Sequence, residues 1–382
     1  MVRYAGIEGG GTTWRVAIAE GDPRNIIARE TFDTRGPEET LQDIVDWLKA
    51  NGPFDAMGVA TFGPVDPNPN SEYYGYITNT PKKLWNFADV LGTFKRAFPG
   101  VPAAFDTDVN APALAEFSFN AAEGDTSCMY VTVGTGVGVG LVINSKTVHG
   151  LVHPEGGHLK LPRRPQDING AFDCSCSFHG DCVEGICASG ALAAFKGCKP
   201  SDLPSLSDDD DVWDSFAHTM GGLCASAILL CSPERIVLSG GVLKRASLFP
   251  KVRAKCKEFL ADYVTHEKVL GDMEDYIVPS EWGNDAGIIG STNLAKVALE
   301  GEAPTPQKKR RKRFYIGLVA MSIAIPVAVT VGVIAGHYFT KRYRDGNTGA
   351  GYEHRYDPAE RDAMMRRLTS LGAATNLVGE RS

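Results

Sequence analysis

Asp106-Thr107-Asp108-Val109-Asn110 follows a short apolar run, Ala103 to Phe105, that reads as a strand. A carboxylate at a strand end can take the proton of a substrate hydroxyl, which is the work of a base in phosphoryl transfer. Asp108 is the candidate, with an Asx turn or helix cap as the bland alternative. Three glycine-rich turns accompany it: Gly9 to Thr12, Gly134 to Gly138, and Gly240-Gly241. Backbone N–H groups on such turns, helped by threonine hydroxyls, reach phosphate oxygens. Gly10, Gly11, Thr12, Thr13, Gly134, Thr135, Gly136, Gly240 and Gly241 are therefore candidate nucleotide-binding residues. None of the turns has the G-x-x-x-x-G-K-[ST] form, which excludes a P-loop enzyme.

A second cluster has metal chemistry. Cys176, His179 and Cys182 stand at C-x2-H-x2-C spacing, and His158 can supply a fourth ligand. Two thiolates and two imidazoles close a tetrahedral structural zinc site. Cys174 is a competing ligand, whereas Cys187, Cys198, Cys224, Cys231 and Cys256 read as buried thiols.

Elements must hold these residues. Tyr4 to Ala19 places two apolar runs around the first glycine turn, and Met129 to Ile143 repeats the arrangement around the second, so each reads as a hairpin. Their recurrence points to a duplicated α/β fold. Leu41, Ile44, Val45 and Leu48 have helical spacing, Phe54 to Thr61 reads as a buried strand, and Ala111 to Phe117 begins a helix. Asp208 to Asp211 reads as a solvated loop and helix N-terminus leading into Trp213 to Cys231. Arg235 to Gly241 is a strand ending in its turn.

The chain has 382 residues, with 43% hydrophobic and 22% charged, which excludes a disordered chain, a collagen and a multi-span transporter. Its net charge of −7 conceals a split: residues 308–382 carry +8, leaving −15 on residues 1–307. An acidic head argues against nucleic acid as a partner, since duplex affinity depends on neutralising phosphates. No secretory signal opens the chain, so the head is expected to be cytosolic. Residues 301–313 read as a basic linker, including six consecutive basic residues, Lys308 to Arg313. Phe314 to Gly336 is a run of 23 residues without a charge, expected to be a transmembrane helix with the larger basic cluster on the cytosolic side. The expected protein is thus membrane-anchored by one C-terminal span, its head facing the cytosol and residues 337–382 forming a tail.

The sequence resembles the ROK family of sugar kinases, in the actin/hexokinase-like superfamily, over about residues 3–298, and its fructokinase branch in particular. Glu8 to Thr13 matches the first phosphate motif, Gly134 to Gly138 the second, Val237 to Val242 the adenosine motif, and Asn284 to Gly290 the closing motif. Asp108 and Asn110 match the segment whose Asp is the family's base. His153-Pro154-Glu155-Gly156-Gly157-His158 matches the signature in which Glu and His contact sugar, and Glu184 matches a further sugar-contacting Glu. The family's zinc site maps onto His158, Cys176, His179 and Cys182. Gly63-Pro64-Val65-Asp66 and Tyr74 to Lys82 resemble the fructokinase branch. Glu8 stands where the superfamily usually has Asp, and can hold Mg²⁺ through water.

The resemblance implies a two-lobed α/β kinase (ribonuclease H-like), with lobes at 1–118 and 119–300 and a cleft between them. ATP and Mg²⁺ are the implied cofactors, with Zn²⁺ structural. Substrate-binding residues are Asn110, Glu155, His158 and Glu184, with Asp108 catalytic. The expected reaction is D-fructose to D-fructose 6-phosphate. Other readings are a kinase for glucose, mannose or an N-acetylhexosamine, and a membrane-tethered sugar sensor without turnover. Expected partners are a hexose, the membrane, and a second copy of the chain as a homodimer.

Overall fold

The computed structural model describes residues 1–121, 124–164, 167 and 176–301. The first hairpin forms as β1 (Arg3–Gly9) and β2 (Thr13–Glu20), followed by β3 (Ile26–Asp33), α1 (Pro37–Asn51) and β4 (Ala56–Thr61). A two-stranded excursion, β5 (Tyr76–Ile77) and β6 (Ala88–Asp89), leads into α2 (Val90–Ala97) and β7 (Ala103–Thr107). These build a five-stranded sheet in the order β3-β2-β1-β4-β7. After α3 (Asn110–Asn120) the pattern restarts with β8 (Cys128–Val133), β9 (Val137–Ile143) and β10 (Lys146–Thr147). It continues through α4 (Val183–Cys187), α5 (Ser189–Lys196), α6 (Asp211–Cys231) and β11 (Ile236–Ser239). It ends with α7 (Leu248–Leu260), α8 (Glu267–Leu270), β12 (Ile277–Pro279) and α9 (Ala286–Glu300).

The second sheet runs β10-β9-β8-β11-β12. In each sheet an antiparallel three-strand meander is extended by two parallel strands on its first member. The two sheets share one topology, as the paired glycine hairpins lead one to expect.

β4 is buried at all six positions, as a central parallel strand covered on both faces must be. Its covers are far apart in sequence. Leu41, Ile44, Val45 and Leu48 of α1 join the core on one side. α9 packs on β1 and β4 from the other and also touches α3. Close approach of α9 depends on small residues beneath it. A Cβ on Gly58 would run into the Ser291 carbonyl and stand 2.5 Å from the Ala295 nitrogen. Gly58→Ala is therefore expected to cost about 1–3 kcal/mol by overpacking. A denaturant melt checks this; no change would mean that the helix can slide off the sheet.

α3 lies against β8 and β9 as well as α9, and Ala111, Leu114 and Phe117 join Tyr130, Val237 and Leu294 in a core shared by the two sheets. The strand end that carries Asp108 thus leads into a helix wedged between them.

One expectation is corrected. Among the described residues no helix is long and apolar enough to cross a membrane. The run 314–336, on which the transmembrane helix rested, lies outside the described residues together with the linker from 302 and the tail. An uncharged run shows only that a helix could tolerate lipid, not that one forms. The anchor and the membrane localisation drawn from it are withdrawn. A smaller correction concerns the thiols: Cys187, Cys224 and Cys256 are buried, but Cys198 and Cys231 are half-buried. Each sits at a helix end, Cys198 just past α5 and Cys231 closing α6.

Candidate active site

β1, β4 and β7 run parallel, so their C-terminal ends open on one edge of the first sheet, the edge where ligands of open α/β sheets gather. Glu8 lies at the end of β1. Asp108 follows β7, and its backbone N–H donates to the Thr61 carbonyl at the end of β4 (3.0 Å). Burial, and then the charges of Glu8 and Glu155, raise the Asp108 carboxyl to about 7. Glu155, on the loop before the turn at Gly156–His158, is likewise raised to about 7, by burial and then by Glu184. It still shows 44% of its side chain to solvent, so its shift is the softer of the two. Asp108 thus feels the charges of Glu8 and Glu155, and Glu155 that of Glu184 on α4.

Glu8 is held asymmetrically. One oxygen accepts from Arg15 Nη2 (2.6 Å), whereas Oε2 is buried without a hydrogen-bond partner. Burial raises its carboxyl and Arg15 opposes the rise. A buried carboxylate with one oxygen unpartnered, beside another acid, suits a hard divalent cation such as Mg²⁺.

The glycine turns are ordered by their own backbones. In the first, Gly10 N donates to Thr13 O (2.9 Å), while Thr34 ties Gly10 O and Thr12 O. In the second, Gly134 N donates to Gly136 O (2.9 Å), and Thr135 sits at the tip. Gly240 has φ 99°, and a Cβ there would collide with Val133 backbone, so only glycine fits. That contact brings Gly240-Gly241 beside the β8 end from which Gly134 emerges. Glu184 stands at the same place, its Oε2 accepting from Val137 N (3.0 Å).

Asn110 takes a different place from the other candidates. It is 1% exposed, donates to Asp106 Oδ1 (2.8 Å) and accepts from Leu141 N (3.1 Å), so its amide braces the strand end. Sequence reasoning overlooked the partners around it. Asp106 also accepts from His149 Nε2 (3.0 Å), and His153 Nε2 accepts from Val65 N (3.1 Å). Burial lowers the His153 pKa, in keeping with a neutral acceptor. His149 stands 43 residues from its carboxylate and has no spacing signature; only its type could have flagged it.

The proposed zinc ligands come together. Cys176 Sγ lies 3.8 Å from His158 Nδ1 and 3.6 Å from His179 Nδ1, and Cys182 Sγ lies 3.6 Å from His158 Nδ1. All four ligand atoms fall within 4.8 Å of one another. Tetrahedral Zn–S and Zn–N bonds of ~2.3 and ~2.0 Å separate sulfur from nitrogen by about 3.5 Å, so the four residues fit the ion. Cys182 also caps α4 through Gly185 N, which ties the cluster to the helix bearing Glu184. Cys174 lies outside the described residues.

Two like-folded sheets with acids and glycine turns at their strand ends define the actin/hexokinase-like class of phosphotransferase folds. The ROK family matches residues 4–298, and the chain belongs to it. A fructokinase from Zymomonas mobilis is 38% identical over 300 residues, covering 77% of this chain and 97% of that protein. Two solved structures share the fold. One is a ROK hexokinase from Thermus thermophilus (TM-score 0.62, 23% identity, 79% of this chain and 100% of the other). The second is a ROK family glucokinase from Streptomyces griseus in complex with glucose and AMPPNP (TM-score 0.59, 20% identity, 77% and 99%).

Proposed function

We propose that this protein is an ATP-dependent fructokinase that makes D-fructose 6-phosphate. Its support is family membership, the likeness to fructokinases along nearly their whole length, and above all the placement of Asp108. That carboxyl, raised toward neutral pH, feels the charges of Glu8, assigned here to the phosphate side, and of Glu155, assigned to the sugar side, while Glu184 acts on Glu155.

In this reading the sugar rests against Glu155, Glu184 and the Nε2 side of His158. Asp108 accepts the proton of the C6 hydroxyl as that oxygen bonds to the γ-phosphorus, and the bond to the β-phosphate oxygen breaks to release ADP. Backbone N–H groups of the three turns hold the phosphate chain. Mg²⁺, when bound, neutralises phosphate charge, and Glu8 is the residue that would hold it. A zinc ion on His158, Cys176, His179 and Cys182 would fix the loop presenting His158 and the helix presenting Glu184, a supporting role. We place the lobes at 1–118 and 119–300, with α9 returning to cover the first sheet. A homodimer is part of the proposal and is read by sedimentation.

ATP-dependent phosphorylation of a hexose panel by the purified full chain tests the reading. Fructose should give the highest kcat/KM. Preference for glucose, mannose or an N-acetylhexosamine would reassign the sugar, because a few hydroxyl contacts decide such choices. Sugar binding without turnover would leave a sensor.

A further inference from the structure

Lys82 ends the segment Tyr74 to Lys82, none of which the mechanism above uses. Lys82 lies across the first glycine turn: a Cβ built on Gly11 would stand 3.2 Å from its Cε and 4.0 Å from its Nζ. Among the described residues no carboxylate pairs with this ammonium, and the side chain is exposed.

The loop beneath it is pinned. Trp85, three residues on and 2% exposed, stacks on Trp14 at 5.1 Å and 19°. Trp14 is the second residue of β2, directly after the turn. Phe62 closes the wedge edge-on at 5.5 Å from Trp85, and Trp85 Nε1 donates to Arg35 O (2.9 Å). Trp85 N donates to Lys82 O (2.7 Å), and Thr80 N to Asn86 Oδ1 (2.9 Å), so the loop is a closed turn. One aromatic wedge thus fixes both the glycine turn and the backbone from which the lysine reaches over it. The backbone is thus held where the lysine's flexible stem can carry its ammonium to a phosphate lying on the turn.

We propose that Lys82 contacts the transferring phosphoryl group, its ammonium donating to an oxygen of the ATP γ-phosphate over the Gly10–Thr12 turn. This rests on the kinase reading. The γ position follows from the strand ends: Gly9, which enters this turn, pairs with Thr61, whose carbonyl accepts from Asp108 N (3.0 Å). A turn joined to the base through paired strand ends cradles the phosphate that moves. Lys82 forms no bond and takes no proton; it offsets charge on the oxygens as the phosphoryl group passes.

Lys82→Met and Lys82→Arg, made in the full chain, separate this role from others. Losing a charge-assisted contact of this kind should weaken binding of the Mg²⁺ complex of the ATP analogue AMPPNP about tenfold or more and lower kcat about 10²-fold. Affinity for ADP, which lacks the γ-phosphate, should stay within about twofold, and fructose KM within about threefold. Lys82→Arg, keeping the charge, should recover most of the kcat. A loop-stabilising role would move ADP and AMPPNP together. That result, a change confined to fructose KM, or an unaltered kcat overturns the assignment. A wild-type chain that phosphorylates no hexose sinks the kinase reading itself, whereas an active wild type with an indifferent Lys82→Met sinks only the lysine.

Discussion

Asp108→Asn should lower kcat by ~10²–10⁴ while fructose affinity stays within about tenfold, because it removes a proton acceptor and leaves a similar shape. The fold should be retained in this variant. The wild-type carboxyl is raised to about 7 by burial and by the charges of Glu8 and Glu155, so the neutral amide relieves a repulsion. The sign also sets a pH profile. A base works only when deprotonated, so kcat/KM of the wild type should fall as pH drops through about 7, and the residual activity of Asp108→Asn should lose that limb. Glu155 titrates in the same range, so the profile alone assigns nothing; Glu155→Gln, which should chiefly raise sugar KM, separates the two. Near-normal turnover by Asp108→Asn would remove it from the role of base.

The zinc prediction has a comparably large effect. Purified protein should hold about one zinc per chain, and Cys176→Ser combined with Cys182→Ser should abolish that content and lower activity ~10-fold or more. The reason is geometric. Cys182 caps α4, which carries Glu184, and His158 ends the turn that follows Glu155. Without the ion, four polar side chains crowd together and the two sugar-side loops lose their common tie. Metal analysis and a melt of the double variant check this. A double variant that keeps its metal would show that the ligands lie elsewhere; one that loses metal but keeps full activity would show that the ion does not support the site.

The fold and the site were legible in the sequence to different degrees. The hairpins, the spacing of Leu41, Ile44, Val45 and Leu48, and the strand before Asp108 form where their local patterns put them, since each is decided by neighbours within a few residues. The C-x2-H-x2-C run was readable for the same reason: its ligands share one turn, with His158 added from nearby. The pairing of His149 with Asp106 was not, because residues so far apart meet only after both sheets have formed. Asn110 shows the reverse case: its place in a motif points to the substrate, and only the fold shows that its amide also bridges Asp106 and Leu141.

Sequence by itself determined the elements, the acids and soft ligands available for chemistry, and the family they resemble, because residue type and short-range periodicity are properties of the chain. Tertiary structure alone decided which carboxylates face one another, and hence that Asp108 is raised toward neutrality, since that shift depends on burial and on charges brought from β1 and the Glu155 loop. It also decided that Lys82 lies over Gly11, through a tryptophan stack between residues 71 positions apart. Packing is long-range, and no local pattern carries it.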